Sequence, residues 1–162
     1  MDFLIRITRE QPDVAIVCMA PLANLAAACR KDPTFPERVG NLVVLGGTYL
    51  AQGNTDLFCS EYNFFKDPDS AQFVFDHFPS ITLVPLESTF FQRMLPLEVN
   101  LKPYKQVHTA KGKMVMDSFR VAYTNMMDTY ETCDPIAVAV AVLGDEIVQE
   151  MVCKPCYIET EG

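Results

Sequence analysis

The 162-residue sequence has little positive charge and no long apolar run, and each shortage excludes a class of function. Thirteen Lys and Arg against 21 Asp and Glu give a formal net charge of −8, which argues against binding to nucleic acid or to an anionic membrane surface. No apolar stretch approaches the roughly 18 residues that a membrane-spanning helix needs. Asp2 and Arg6 interrupt the N-terminal segment, which therefore does not resemble a signal peptide. We expect a single cytoplasmic domain over residues 1–162.

Six cysteines are enough for a disulfide framework or a zinc site, but the sequence completes neither pattern. Cys153 and Cys156 form a CxxC pair, and a zinc site would need two further ligands at matching spacing. The two histidines are far apart in the sequence, and the remaining cysteines lie singly in apolar or mixed segments. We favour two reduced structural thiols over a zinc or redox module.

Short runs rich in Val and Ile alternate with longer amphipathic segments, which is typical of a parallel α/β sheet. Buried strands are predicted at Val14–Met19, Leu42–Leu45 and Ile81–Leu86, with a last short strand at Cys156–Thr160. Helices are predicted after Pro21, from Asp67-Pro68 to His77, over Leu97–Thr109, over Lys111–Tyr130 and from Asp134-Pro135. The expected fold is an open, mostly parallel, Rossmann-like sheet with helices on both faces.

Polar residues follow the predicted strands, at the edge where open α/β sheets bind ligands. Glu61 and Asn63 are two residues apart, so on an extended segment both side chains would point the same way and could bind vicinal sugar hydroxyls. The alternative is an exposed loop with an Asn-based turn. Asp134 has an alternative too, because Asp before Pro135 is a common helix N-cap.

Five segments occur in the order and with the spacing of one family's motifs: MAPLANLAAACRKDP, LVVLGGTYLAQGN, SEYNFFKDPDSAQFVF, ITLVPLEST and CDPIAVAVAV. The chain thereby resembles the inosine-uridine-preferring nucleoside hydrolases. That resemblance implies hydrolysis of the N-glycosidic bond of ribonucleosides to a free base and ribose, as in purine nucleoside catabolism. It also implies a calcium ion held by aspartates, a backbone carbonyl and the ribose diol, which suits an all-oxygen site.

The resemblance assigns roles by position. It makes Asp134 a calcium ligand, and it places Met19 where the family donates a backbone carbonyl to the metal. Cys133 stands where purine-accepting members have a His that helps to protonate the leaving base, so we take it as a candidate catalytic residue. The ribose-binding positions fall on Asn54, Glu61 and Asn63, and Leu45 matches an apolar contact near the sugar.

The family's Asp-rich DxDPGxDD motif, which supplies most calcium ligands and the general base, does not occur in this sequence. We therefore expect an internal piece of a nucleoside hydrolase that is inactive alone. The alternative is a non-catalytic remnant of the same fold that binds a nucleoside or a partner. A ribonucleoside is the expected small-molecule partner, and a homo-oligomer stays open.

Overall fold

A computed structural model of the chain describes residues 1–94, 102, 108–123 and 133–160. The chain divides into two compact units, Met1–Glu87 with Cys133–Gly162 and Ser88–Thr132. The first unit holds the sheet and every candidate site residue. That the whole chain is one domain stays a prediction.

The sheet has three parallel strands, β1 (Val14–Cys18), β2 (Val39–Leu45) and β3 (Thr82–Val84), in the order β1-β2-β3. Cys18 pairs with Val44, and Leu45 pairs with Val84, so the three strands end close together. The loops that follow the strands therefore meet at one carboxyl edge, which confirms the predicted open parallel sheet.

The helices of the first unit are α1 (Asp2–Glu10), α2 (Ala23–Lys31), α3 (Tyr62–Lys66), α4 (Pro68–His77) and α6 (Cys133–Leu143). The second unit holds α5 (Ala110–Tyr123). Short 3-10 helices lie at Pro36–Arg38, Leu86–Met94 and Gly144–Glu146. Every helix in the described part of the chain is too short or too polar to cross a bilayer.

Strand β2 is buried on both of its faces. Leu42 and Val44 belong to a core cluster that includes residues of α1, α2 and α4, whereas Val43 and Leu45 pack in a second cluster with α6. Their alternation follows from the period of two in a strand. Each such side chain contributes about 1.5–3 kcal/mol relative to exposure. The helices therefore cover both faces of the sheet, as expected.

Some predicted elements differ from the structure. The strand expected at Cys156–Thr160 is wrong, because this segment has no regular secondary structure. Ile158 instead packs against the core, and its N–H donates to Gln72 Oε1 at 2.8 Å. Helix α1 was not predicted from its sequence. The helix predicted over Leu97–Thr109 and the end of Lys111–Tyr130 lie largely or wholly outside the described residues.

The Asp32 carboxylate joins α1, the end of α2 and the following turn. Its Oδ2 accepts hydrogen bonds from Arg9 at 2.6 Å and Arg38 at 2.7 Å, and its Oδ1 accepts from the Thr34 hydroxyl at 2.8 Å. The hydrogen bonds from Thr34 and from the two guanidinium groups hold the Asp32 pKa well below its usual range, although burial opposes them. The ionised form is therefore the one that stabilises the fold.

We predict that Asp32→Asn lowers the free energy of unfolding at pH 7. The pKa of Asp32 is lower in the folded state than in the unfolded state, where it is about 4. The contribution of Asp32 to the free energy of unfolding is therefore complete above about pH 4 and is lost as the pH falls below that value. The difference between wild type and variant should therefore shrink on acidification, as measured by urea unfolding between pH 7 and pH 3. The exposed Asp56→Asn is the control, and a difference that does not depend on pH would contradict the assignment.

Candidate functional site

A double-glycine turn ends β2 and lies against β3. Gly46 N–H donates to the Val84 carbonyl at 3.2 Å, and Leu86 N–H donates to the Gly47 carbonyl at 3.0 Å. Gly47 has a φ of +72°, and a Cβ there would lie 2.9 Å from the Phe64 ring. Glycine is required at this position both for its conformation and for this close approach.

Glu61 is the N-cap of α3 and is almost fully buried, with 5% exposure. Its Oε1 accepts from Asn63 N–H at 2.9 Å, and its Oε2 accepts from Phe64 N–H at 3.1 Å. The same Oε2 also accepts from Gly47 N–H at 3.0 Å. One carboxylate thus satisfies two free N–H groups of the helix and fixes the turn after β2.

The two asparagines contact the same region. Asn63 Nδ2 donates to the Leu45 carbonyl at 3.2 Å, and Asn54 Oδ1 accepts from Tyr62 N–H at 2.8 Å. The structure therefore brings Asn54, Glu61, Asn63 and Leu45 together at the end of β2.

The expected extended segment around Glu61 is wrong. The chain turns into α3 at Tyr62 because the Glu61 carboxylate caps the first helical N–H groups. Asn63 lies in the first turn of that helix, and it meets Glu61 through its backbone N–H. The two side chains thus come together by capping and not by alternation along a strand.

Several hydrogen-bonding positions of this cluster stay open among the described residues. Glu61 Oε1 accepts a single hydrogen bond, and the contacts of the asparagines use Asn54 Oδ1 and Asn63 Nδ2. An acceptor on Asn63, a donor pair on Asn54 and one acceptor position on Glu61 remain. This is a mixed donor and acceptor set, and such a set suits a pair of neighbouring hydroxyl groups.

Cys133 and Asp134 form the start of α6. Cys133 is half-buried and packs against the cluster that contains Val43, Leu45 and Val84. Because α6 begins at Cys133, Asp134 lies in the first turn and not at the N-cap. Partial burial raises the pKa of the Asp134 carboxyl. In the described part of the chain, no hydrogen bond or ion pair joins Asp134 to Asn54, Glu61 or Asn63.

Met19 directly follows β1, and its side chain is 39% exposed. Its carbonyl and the Asp134 carboxylate are hard oxygen donors of the kind that calcium prefers, but calcium takes six to eight oxygens. Within the described ranges, no group of three His, Cys, Asp or Glu side chains could hold a metal. These two oxygens are of the kind that calcium binds, but they are fewer than the six to eight that calcium takes.

The family model of the inosine-uridine preferring nucleoside hydrolases matches residues 1–162. The chain belongs to this family. It is 31% identical over 162 residues to an inosine-uridine preferring nucleoside hydrolase from Leishmania major, and the match covers 96% of the chain and 49% of that protein.

Two further matches agree with the family. A probable uridine nucleosidase 2 from Arabidopsis thaliana is 40% identical over 75 residues, which is 46% of the chain and 23% of that protein. The solved purine-preferring ribonucleoside hydrolase from Gardnerella vaginalis has a TM-score of 0.78 and 25% identity, over 99% of this chain and 52% of that one. The chain spans about half the length of the Leishmania and Gardnerella proteins.

Glu87 is a residue of this edge that the sequence did not indicate. It lies three residues after the end of β3, and its Oε1 accepts hydrogen bonds from the Thr48 hydroxyl and from Leu50 N–H. The signal available in the sequence was its place after a predicted strand, in the segment ITLVPLEST.

We predict that Glu61→Ala lowers the free energy of unfolding by about 2 kcal/mol, because a helix cap is lost and buried N–H groups lose their acceptor. Glu61→Gln keeps one acceptor oxygen and should cost less. Urea unfolding followed by circular dichroism measures both variants against Glu37→Ala, an exposed control. Equal stability of Glu61→Ala and the control would show that the carboxylate does not cap α3.

Proposed function

We propose that the chain forms the ribose-binding part of a nucleoside hydrolase, which cleaves the N-glycosidic bond of ribonucleosides to a free base and ribose. The main support for this proposal is that Asn54, Glu61 and Asn63 converge at the end of β2, in a chain that belongs to this family. The relatives include a uridine nucleosidase from Arabidopsis thaliana and a ribonucleoside hydrolase from Gardnerella vaginalis, which supports the same reaction class.

The three polar side chains differ in the hydrogen bonds that they can make with the ribose. Glu61 Oε1 and Asn63 Oδ1 accept hydrogen bonds from two neighbouring ribose hydroxyls, and Asn54 Nδ2 donates a hydrogen bond to a hydroxyl oxygen. Leu45, which is 4% exposed, is the residue that the family resemblance places in apolar contact with the sugar. Because three backbone N–H groups hold the Glu61 carboxylate, it needs no rearrangement to accept a hydrogen bond from a ribose hydroxyl.

Calcium is part of this proposal, with the Asp134 carboxylate and the Met19 carbonyl as the ligands from this chain. A calcium ion held by these two oxygens and by further ligands would supply positive charge that orients a water molecule and lowers its pKa. Calcium takes six to eight oxygen ligands, and no group of three His, Cys, Asp or Glu side chains within the described ranges supplies the others. We also propose a cytoplasmic location, which the six free cysteines support, since unpaired thiols are typical of reducing compartments.

The proposal predicts that the 162-residue chain binds uridine but does not hydrolyse it measurably. A missing general base alone typically lowers a rate by about 10²–10⁴-fold, and the sequence contains no DxDPGxDD motif to supply one. Uridine should shift the side-chain amide signals of Asn54 and Asn63 in NMR spectra. The matched probe 2′-deoxyuridine lacks one hydroxyl and should bind more weakly.

Two results would contradict this prediction. Equal shifts with uridine and 2′-deoxyuridine would show that the asparagines do not recognise the ribose diol. Calcium-dependent release of base from inosine or uridine, abolished by Asp134→Ala, would show that the chain is sufficient for catalysis. Two other observations would support the non-catalytic alternative. One is a family-length protein that carries this chain and binds a nucleoside without hydrolysing it. The other is a coding sequence with no in-frame DxDPGxDD motif upstream.

We propose that Cys133 assists departure of the base. In an active family-length hydrolase that carries residues 1–162, Cys133→Ala should lower kcat/KM for inosine more than for p-nitrophenyl riboside, whose leaving group needs little protonation. Steady-state kinetics on both substrates measure the difference. Equal losses would assign Cys133 to packing against the Leu45 cluster instead.

A further inference from the structure

Glu87 holds the first residues of the loop that leads from β2 to the ribose site. Its Oε1 accepts from the Thr48 hydroxyl at 2.5 Å and from Leu50 N–H at 2.9 Å. The Thr48 oxygen in turn accepts from Gln52 N–H at 3.1 Å. The carboxylate thus fixes three points along a five-residue stretch, two directly and one through the hydroxyl.

The constraint continues from Gln52 to Asn54. Gly53 N–H donates to the Phe58 carbonyl at 2.7 Å, and Asn54 N–H donates to the Ser60 carbonyl at 3.1 Å. A Cβ on Gly53 would collide with the Ser60 backbone, so this part of the loop is closely packed. Asn54 follows Gln52 by two residues, so the stretch that Glu87 holds leads directly into the closely packed segment that carries Asn54.

The second oxygen of Glu87 is an unusual feature of this contact. Oε2 is buried and has no hydrogen-bond partner among the described residues. Buried polar atoms without a partner are rare in native structures, and each one needs an explanation. Functional sites are one setting in which such atoms occur.

We propose that Glu87 is a positioning residue, which orients the Thr48–Asn54 segment so that Asn54 meets the ribose. This inference rests on the proposed ribose-binding function. It assigns Glu87 no contact with the substrate, because its effect passes through Thr48 and Leu50. The position of the ribose-binding residues then depends on the ends of two strands, on β2 directly and on β3 through Glu87.

The test compares Glu87→Ala and Glu87→Gln in the full 162-residue chain, with the exposed Glu150→Ala as the matched control. Hydrogen–deuterium exchange at the Leu50 amide reports the contact itself, and an NMR titration with uridine reports the ribose site. Glu87→Ala should speed Leu50 exchange and raise the uridine Kd, each about tenfold, because a hydrogen bond to a charged group is lost. Glu87→Gln keeps an acceptor oxygen and should restore both values to within about threefold of wild type.

A uridine Kd that Glu87→Ala leaves unchanged would overturn the positioning role, whether or not Leu50 exchange changes. If Glu87→Ala does not fold, Thr48→Val removes the hydroxyl from the other side of the same contact and should raise the Kd while Glu87 remains. A wild-type chain that binds no uridine would overturn the proposed function and the positioning role together. Leu50 exchange would still show separately whether Glu87 holds the loop.

Discussion

Three backbone N–H groups converge on the Glu61 carboxylate, and the candidate site depends on this convergence. Two of them belong to the start of α3, and the third belongs to Gly47 in the turn after β2. Without an acceptor at this point, buried N–H groups would lose their partners, and the helix and the turn would no longer be joined. Asn63 reaches the Leu45 carbonyl because α3 is held in this place.

The parallel register of the sheet gives this interaction its location. Leu45 pairs with Val84, so the turn after β2 lies beside the residues that follow β3. The Gly46 and Leu86 N–H groups complete the pairing beyond the strands themselves. As a result, Glu61 contacts the β2 turn while Glu87, which follows β3, contacts the next residues of the same loop. The two carboxylates thus both hold the start of the loop, Glu61 at Gly47 and Glu87 at Thr48 and Leu50.

The sequence predicted the elements that depend on local patterns. The apolar run at Val14 and the Asp67-Pro68 helix start both follow from side-chain burial and capping, and both were found. The strand predicted at Cys156–Thr160 is wrong, and there the Ile158 N–H donates to the side chain of Gln72, which is distant in the sequence. The contacts of Glu87 escaped prediction for the same reason, since Thr48 and Leu50 lie 39 and 37 residues away.

Glu61 shows why spacing alone could not separate a structural role from a ligand role. Its Oε2 accepts two N–H groups and has no further lone pair to offer, whereas its Oε1 accepts one and retains another. The same carboxylate can therefore cap the helix through both oxygens and still accept a hydrogen bond from a ribose hydroxyl at Oε1. The exposed loop that the sequence left open does not fit the burial of Glu61, whereas capping, a role that the sequence did not indicate, is compatible with ribose binding. Capping orients the carboxylate before a ligand arrives, which lowers the entropic cost of binding.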